Sequence, residues 1–378
     1  IDWVRIAIRD RATDMWLQDD LQSWGAFNRI PTDLTGPSTS VRWSTEIPLA
    51  TGAYMLSVRA RDLAGNEASI SPWRAFSISD GGQPPPPPPG GPTAMIIAAG
   101  DISTCANNHD EETAALIDSI VAETDLPVTV VPVGDTVYEQ GSAAEFANCS
   151  DPTWGRHKSI TKPVVGNHEY GTPGASGYFN YFGSAAAPDH GYYRWEVAGR
   201  EVYARNSVCG RLGGCGATTP QVQWLRSELA ASSNQCTLAF MHHPRFSVSD
   251  PLSSMKEFWK ALDEAGGDVV VNAHAHYFAK SYPQTWDGKR SSSGMVQFIA
   301  GTGGKYLHDK PSAPHANQQL IDNSEFGVLV LELAESSYSW EFRRVGDGAV
   351  LHSGEAECHS RARGARSKGT ASSPKRGR

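Results

Sequence analysis

The sequence predicts two folded parts: a small all-β domain, followed by a larger α/β domain built as a four-layer αββα sandwich. In the larger part, apolar runs typical of buried strands alternate with helical patterns, and β-hairpins follow near the carboxyl end. Six consecutive prolines at residues 84–89 form an extended, semi-rigid spacer between the two parts. We therefore expect domains at residues 1–80 and 93–358, a linker at 81–92 and a basic, disordered tail at 359–378.

The amino-terminal part contains short runs in which apolar and polar residues alternate with period two. Residues 3–8, 40–44 and 53–60 are such runs, and the pattern indicates strands with one buried face. About 80 residues of this kind predict an immunoglobulin- or fibronectin-like β-sandwich. We expect a passive spacer or stabilising module, with adhesion to a glycan or a surface as the alternative. Its partner is not indicated by the sequence.

The larger part contains three helical patterns and two late hairpin strands. Apolar residues recur on one face of Glu111–Glu123, Gln221–Leu229 and Met255–Ala265, which predicts amphipathic helices. The hairpin strands are predicted at residues 328–333 and 337–345.

Five apolar runs in this part each end in a residue that binds metals. The runs cover residues 94–101, 128–135, 163–168, 238–242 and 268–276. In an open α/β sheet, ligand groups collect just outside the carboxyl ends of the strands. Two Asp, an Asn and several His at one sheet edge predict a site for divalent or trivalent metals. The residues are Asp101, Asp135, Asn167, His242, His274 and His276.

The order of these motifs resembles that of the calcineurin-like metallophosphoesterases and, within them, of the purple acid phosphatase branch. The matching segments are Asp101–Ser103, Gly134–Tyr138, Gly166–Glu169, His242 and His274–His276. Ser103 replaces the usual His of the first motif, and in the purple branch a tyrosinate supplies the missing ligand, here Tyr138. The resemblance implies a dinuclear phosphomonoesterase in which metal-bound hydroxide attacks the phosphoester in line.

The resemblance also implies how the ligands divide between two metals. Fe(III) would occupy the first site, and Zn, Mn or Fe(II) the second. Asp135 would bridge the two ions. Asp101, Tyr138 and His276 would complete the first site, and Asn167, His242 and His274 the second.

The residues expected to take part in catalysis are His168, His243 and Arg245. His168 is expected to contact phosphate and to protonate the leaving group, with Glu169 orienting it. Arg245 is expected to clamp a phosphate oxygen, with a surface salt bridge as the alternative. No role is predicted for the remaining histidines, at 109, 157, 190, 308, 315, 352 and 359.

Two further functions remain open. One is a phosphodiesterase or nucleotidase that uses the same site. Pocket width decides between monoester and diester substrates, and the sequence does not predict the conformation of the loops that set this width, at 139–160, 171–192 and 306–325. A degenerate fold kept as a binding or adhesion module is the third possibility. The segment 272–280 favours it slightly, because it lacks the glycine and the trailing Glu-Arg of close relatives, although the ligands are intact.

Charge and cysteine content indicate the surroundings of the protein. Without the seven basic residues of 359–378, the chain carries 26 basic and 41 acidic residues, which argues against an obligate nucleic-acid partner. No apolar run approaches the roughly 20 residues needed to span a bilayer. Six cysteines suit disulfides and an oxidising compartment. Sequence leaves 15 pairings open, of which we favour 105–149, 209–215 and 236–358. We expect an exported protein, secreted or periplasmic, whose signal peptide precedes Ile1.

Overall fold

The computed structural model of the chain divides into two compact units, Ile1–Gly91 and Pro92–Arg378. In the larger unit it describes residues 92–187, 190–232, 236–249, 251–309 and 315–359. In the smaller unit it describes residues 3–10, 16–18, 24–25, 30–31, 33–35, 42–44, 49, 52–61 and 67–78. The predicted linker, apart from Pro92, and the predicted tail beyond His359 lie outside the described residues.

The smaller unit consists of strands wherever elements are described. They are β1 (Trp3–Asp10), β2 (Trp16–Leu17), β3 (Trp24–Gly25), β4 (Ile30–Pro31), β5 (Asp33–Thr35), β6 (Arg42–Ser44), β7 (Gly52–Arg61) and β8 (Glu67–Ile78). One sheet has the order β3-β2-β1-β7-β8 with β4 paired to β1, and β5 and β6 form a second. Ile6, Ile8 and Tyr54 are buried, so these strands carry an apolar core. The all-β prediction is confirmed for the described residues.

The larger unit combines strands with a few helices. Its strands are β9 (Ala94–Ala99), β10 (Val128–Pro132), β11 (Tyr193–Val197), β12 (Arg200–Arg205), β13 (Leu238–Met241), β14 (Val269–Asn272), β15 (Phe278–Ser281), β16 (Val296–Ala300), β17 (Gln318–Asp322), β18 (Gly327–Leu333), β19 (Ser337–Arg344) and β20 (Val350–Glu357). The α-helices among its described residues are α1 (His109–Glu123), α2 (Ala143–Glu145), α3 (Ser176–Phe182), α4 (Pro220–Ala231) and α5 (Lys256–Glu264), and short 3-10 segments lie between the elements. The three predicted helices correspond to α1, α4 and α5. The predicted hairpin is β18 paired with β19.

Two sheets pack face to face in this unit. One has the order β10-β9-β18-β19-β20 and the other β11-β12-β13-β14-β16-β15-β17. Alternate residues of β9 and β13 point into the shared core, where Ile96 and Phe240 are fully buried. The opposite face of β9 packs against α1, and that of β13 and β14 against α4 and α5. The order of layers is therefore helix, sheet, sheet, helix, which confirms the predicted αββα sandwich.

Four of the five apolar runs form strands, and the third does not. Residues 163–166 contribute only an isolated bridge between Val164 and Val133. The amide of Val164 still donates to the carbonyl of Pro132 at 2.9 Å. This bond keeps the segment beside the end of β10, so Asn167 lies at the same sheet edge although no strand precedes it. The prediction of a strand here was wrong, although the resulting placement is similar.

All three favoured disulfides are present, and none of the six cysteines is free. Cys105–Cys149, Cys209–Cys215 and Cys236–Cys358 have Cα–Cα distances of 5.1, 5.4 and 5.2 Å, which are ordinary for disulfides. No helix in the described ranges is both long and apolar enough to cross a bilayer; the longest, α1, has 15 residues.

Candidate metal centre

The first two motifs are held together by a short backbone ladder beyond β9 and β10. The amides of Asp101, Ile102 and Ser103 donate to the carbonyls of residues 134, 135 and 136 at 3.2, 3.0 and 3.0 Å. The amide of Tyr138 donates back to Ser103 at 2.9 Å. This ladder brings the Tyr138 side chain to the same edge as Asp101, although Tyr138 lies six residues beyond the end of β10.

Three of the predicted ligands have left-handed backbone conformations. Asp101, Asp135 and His274 have φ of 59°, 47° and 68°, which non-glycine residues seldom adopt and which cluster at functional sites. A glycine neighbour makes room for one of them. A Cβ atom on Gly166 would lie 2.2 Å from Oδ1 of Asp135, so only glycine allows this close approach.

One group of oxygen and nitrogen atoms forms around the phenol of Tyr138. Its hydroxyl donates to Oδ1 of Asp101 at 2.9 Å and lies 3.4 Å from Nε2 of His276. Nε2 of His276 also lies 3.4 Å from Oδ1 of Asp101. All three side chains are buried, with Asp101 fully so. We call Asp101, Tyr138 and His276 the first group.

A second group forms around the imidazole of His242. Its Nε2 lies 3.1 Å from Oδ1 of Asn167 and 3.3 Å from Nδ1 of His274. Ligand atoms of Asp135, His242 and His274 all lie within 4.8 Å of one another, which is close enough for one ion to contact all three. We call Asn167, His242 and His274 the second group.

Asp135 lies between the two groups and touches both. Its Oδ2 lies 3.2 Å from the Tyr138 hydroxyl oxygen and 3.1 Å from Nε2 of His242. Its Oδ1 accepts from the backbone amide of His168 at 2.8 Å. The structure therefore brings the other six predicted ligands together around the Asp135 carboxylate.

Two of the histidines are oriented as metal ligands usually are. Nδ1 of His242 lies 2.8 Å from the carbonyl of Val133, and Nδ1 of His276 lies 2.9 Å from that of Tyr306. A ring nitrogen facing a carbonyl must carry the proton, so the neutral tautomer has an unprotonated Nε2. In both rings that Nε2 faces the clustered oxygens, which is the usual arrangement around protein-bound metals. The residues present therefore fit a metal centre.

Charges within the cluster shift its pKa values strongly. Burial alone would raise the pKa of Asp101 and Asp135, but nearby His276 and His242 hold both pKa values below the usual range. Burial would lower the pKa of His242, yet the Asp135 carboxylate raises it to about 9. Burial and both carboxylates raise the pKa of Tyr138 well above its ordinary value. Protons thus balance the carboxylates in the absence of cations, and a bound cation would displace them.

Glu169 has a different position from the one expected. Its fully buried carboxylate accepts from the backbone amides of Asp135, Thr136 and Gly166 at 3.0, 2.6 and 2.7 Å. It therefore ties the loop that carries Asp135 to the loop that carries Asn167, rather than orienting the His168 ring. Burial and the neighbouring Asp135 raise the pKa of Glu169 to about 7.

Two of the predicted catalytic residues, His168 and His243, differ in how far they are exposed to solvent. Nδ1 of His168 lies 2.7 Å from the carbonyl of Glu139, and its Nε2 lies 4.0 Å from Oδ2 of Asp135. The side chain is 32% exposed, so it reaches the open side of the cluster. His243 is more enclosed, with Nδ1 2.8 Å from the Ser207 hydroxyl. Burial and the charges of His242 and His274 lower the pKa of His243 to about 2.

The Arg245 side chain contacts the backbone of two neighbouring segments. Its guanidinium donates to the backbone carbonyls of Trp286 and Ser253, both at 3.0 Å. These bonds hold the loop after β13 against residue 286 and use two of the five N–H donors of the guanidinium. Phosphate binding by Arg245 therefore stays a prediction, and the partners of its guanidinium at hydrogen-bond distance are carbonyls rather than carboxylates.

Sequence reasoning missed the contribution of residues 305–308, which follow a glycine-rich turn after β16. His308, to which no role was assigned, stacks on His276 with ring centroids 4.2 Å apart. A histidine in an irregular loop carries no pattern, so only its proximity to the His-x-His motif in space identifies it.

Comparisons with known proteins identify the family of the chain. The family model of calcineurin-like phosphoesterases matches residues 90–278, half of the chain, and the chain belongs to this family. Membership of this family makes the protein a metal-dependent phosphoric ester hydrolase. No curated protein matches the chain significantly by sequence.

Two solved structures share the fold at low sequence identity. A purple acid phosphatase, PPD1, from yellow lupin (Lupinus luteus) seeds is 14% identical over 95% of this chain and 70% of its own, with a TM-score of 0.58. GAP50, the anchor in the inner membrane complex of Plasmodium, is 13% identical over 71% of this chain and 89% of its own, with a TM-score of 0.52. At these identities the similarity concerns the fold.

Proposed function

We propose that this protein is a phosphomonoesterase with two metal ions that share Asp135. One observation carries the proposal: Oδ2 of Asp135 lies 3.2 Å from the Tyr138 hydroxyl and 3.1 Å from Nε2 of His242. A carboxylate between two separate donor groups is the natural bridge of a dinuclear centre. When bound, such a pair of ions supplies an activated water and a positive charge for the phosphoryl oxygens.

The two groups differ in their donors, which supports different metals. In the first group, Asp101 and Tyr138 offer a carboxylate and a phenolate, which together with His276 favour a trivalent ion such as Fe(III). In the second, Asn167 offers a neutral carbonyl oxygen beside two imidazoles. This set suits Zn, Mn or Fe(II).

His168 is the residue we propose as proton donor to the leaving group. Its Nδ1 faces the Glu139 carbonyl, so the ring has a fixed orientation, and its Nε2 faces the open side near Asp135. His243 is the weaker candidate because the Ser207 hydroxyl engages its Nδ1 and the ring packs against His274, 4.3 Å between centroids. A proton donor must reach the substrate oxygen, and His168 has the more accessible position.

The name of the lupin neighbour supports monoester substrates, since it is a purple acid phosphatase of the same fold. The three disulfides support an oxidising compartment. We therefore propose that the protein acts outside the cytosol on small phosphate esters.

The test combines metal analysis with a panel of aryl monoesters and diesters. Wild-type protein should hold two metals per chain and prefer monoesters. Asp135→Asn should lower kcat/KM by about 10²–10³-fold, because losing an electrostatic contact in such a site costs about 3–4 kcal/mol. Asp125→Asn, at an exposed position in the loop between α1 and β10, is the matched control and should leave activity unchanged.

Three outcomes would contradict the proposal. Near-normal turnover of Asp135→Asn would remove the bridging role. A faster reaction with diesters would favour the phosphodiesterase alternative. Two bound metals without hydrolysis of any ester would favour a binding module.

A further inference from the structure

The segment Lys305–His308 lies directly behind the first group. It follows β16 (Val296–Ala300) and the turn of Gly301–Gly304. The turn allows a close approach, since a Cβ atom on Gly301 would lie 2.6 Å from Oδ2 of Asp101. We call Lys305–His308 the backing segment.

The backing segment contacts both the backbone and the ring of His276. The Tyr306 carbonyl faces Nδ1 of His276 at 2.9 Å. The backbone amide of His308 donates to the His276 carbonyl at 2.9 Å, and the His276 amide donates to Nδ1 of His308 at 3.1 Å. The two imidazole rings stack with centroids 4.2 Å apart and planes 4° apart. Backbone and ring of His276 are thus both fixed by this segment.

The same segment contacts the other two members of the first group. The amide of Lys305 donates to the Asp101 carbonyl at 2.9 Å. Its ammonium lies 4.5 Å from the centroid of the Tyr138 ring and pairs with Glu139. Three residues of the backing segment, Lys305, Tyr306 and His308, therefore contact every member of the first group between them.

The backing segment is itself anchored from behind. The side-chain amide of Asn107 donates to the Lys305 carbonyl at 2.9 Å, and that of Asn323 donates to the His308 carbonyl at 3.0 Å. A fixed support of this kind is what a metal-binding histidine needs, because misorientation of the ring weakens the bond to the ion.

We propose that His308 is a positioning residue that sets the orientation of His276 and thereby the affinity of the first metal site. The inference rests on the proposed metal centre. His308 has two separable contacts to His276: its Nδ1 accepts the backbone amide, and its ring covers the imidazole. Because Nδ1 accepts a hydrogen bond, neutral His308 carries its proton on Nε2.

Three variants separate these contacts. His308→Ala removes both, His308→Phe keeps a stacked ring without the acceptor, and His308→Asn keeps an acceptor near the place of Nδ1 without the ring. Zn²⁺ titration of the metal-free full-length chain by calorimetry measures both sites at once. In His308→Ala, one of the two Zn²⁺ equilibria should weaken about 10–100-fold, the usual effect of losing such a supporting contact. Phe and Asn should each restore part of that loss.

His109→Ala is the matched control. His109 also stacks on an aromatic ring, that of Phe326, at 4.3 Å, and it pairs with Glu112 on α1. This variant should bind both Zn²⁺ ions as wild type does. Thermal unfolding of the metal-free variants serves as a second measurement. If His308 had a purely structural role, its replacement would lower stability without weakening one Zn²⁺ affinity more than the other.

The outcomes distinguish the inference from the proposed function. Unchanged affinities in His308→Ala, or equal weakening of both sites, would overturn the positioning role while the metal centre stands. A wild-type chain that binds no Zn²⁺ would overturn the metal centre and the inference together.

Discussion

The carboxylate of Glu169 offers a quantitative test of how the site is assembled. It accepts three buried backbone amides, from Asp135, Thr136 and Gly166. Glu169→Ala leaves all three amides without this acceptor, and each buried amide without a hydrogen-bond partner destabilises the fold by about 1–3 kcal/mol. We therefore expect the free energy of unfolding to fall by at least about 3 kcal/mol.

Glu169→Gln should have a smaller effect, because its geometry allows a partial replacement. Oε2 accepts two of the amides and Oε1 the third. A Gln whose carbonyl oxygen takes the place of Oε2 loses one bond, at a cost of about 1–3 kcal/mol. The loss of charge also removes repulsion with Asp135, which places this variant toward the lower end.

The assay is urea unfolding of the chelator-treated full chain, followed by hydrogen exchange in peptides from β13 and β14. These strands report the unit that contains Glu169. Glu196→Ala, an exposed position on β11, is the control and should stay within about 0.5 kcal/mol of wild type. If Glu169→Ala also stayed within that margin, the amide bonds would not hold the ligand loops together and the reasoning would fail.

Three further outcomes follow from the same structure. Iron-loaded protein should show a visible tyrosinate-to-metal band that Tyr138→Phe abolishes; a band that survives would contradict ligation by the phenol. In the metal-free chain, the His242–Asp135 pair should stabilise the fold fully below about pH 6.5 and lose this effect as pH rises through about 9, since the folded pKa of His242 is raised. Thermal unfolding in chelator should show this fall and His242→Asn should flatten it; a rise in stability over that range would contradict the assignment. Replacing Cys236 and Cys358, which are 122 residues apart, should lower the free energy of unfolding by about 2–4 kcal/mol, because the disulfide closes a long loop in the unfolded chain. Removing the Cys209–Cys215 disulfide, which closes a short loop, should have a smaller effect. The reverse order in thermal unfolding would contradict the loop-entropy argument.

The strands and their ligands were predictable because β9, β13 and β14 are buried on both faces. Burial on both sides requires a continuous apolar run, and the residue after each run then lies at the sheet edge. Asp101, His242 and His274 could be placed from this pattern alone. Tyr138 could not, since it follows no strand of its own and was assigned only from the family resemblance.

Other parts of the site depend on contacts distant in the sequence and could not be read from it. The Arg245 guanidinium donates to a carbonyl 41 residues away, and the Glu169 carboxylate accepts from backbone amides 33 and 34 residues away. Such pairings are set by how the layers pack, and neither residue type nor spacing encodes them. The same holds for the third apolar run. Val164 is buried and forms only an isolated bridge where a strand was predicted, so an apolar run alone does not show that a strand forms.

The most direct test is anomalous diffraction from crystals of the metal-loaded chain. The shared role of Asp135 predicts two metal peaks about 3.5–4 Å apart, with one oxygen of Asp135 within coordination distance of both. A single peak, or two peaks of which only one contacts Asp135, would contradict the account.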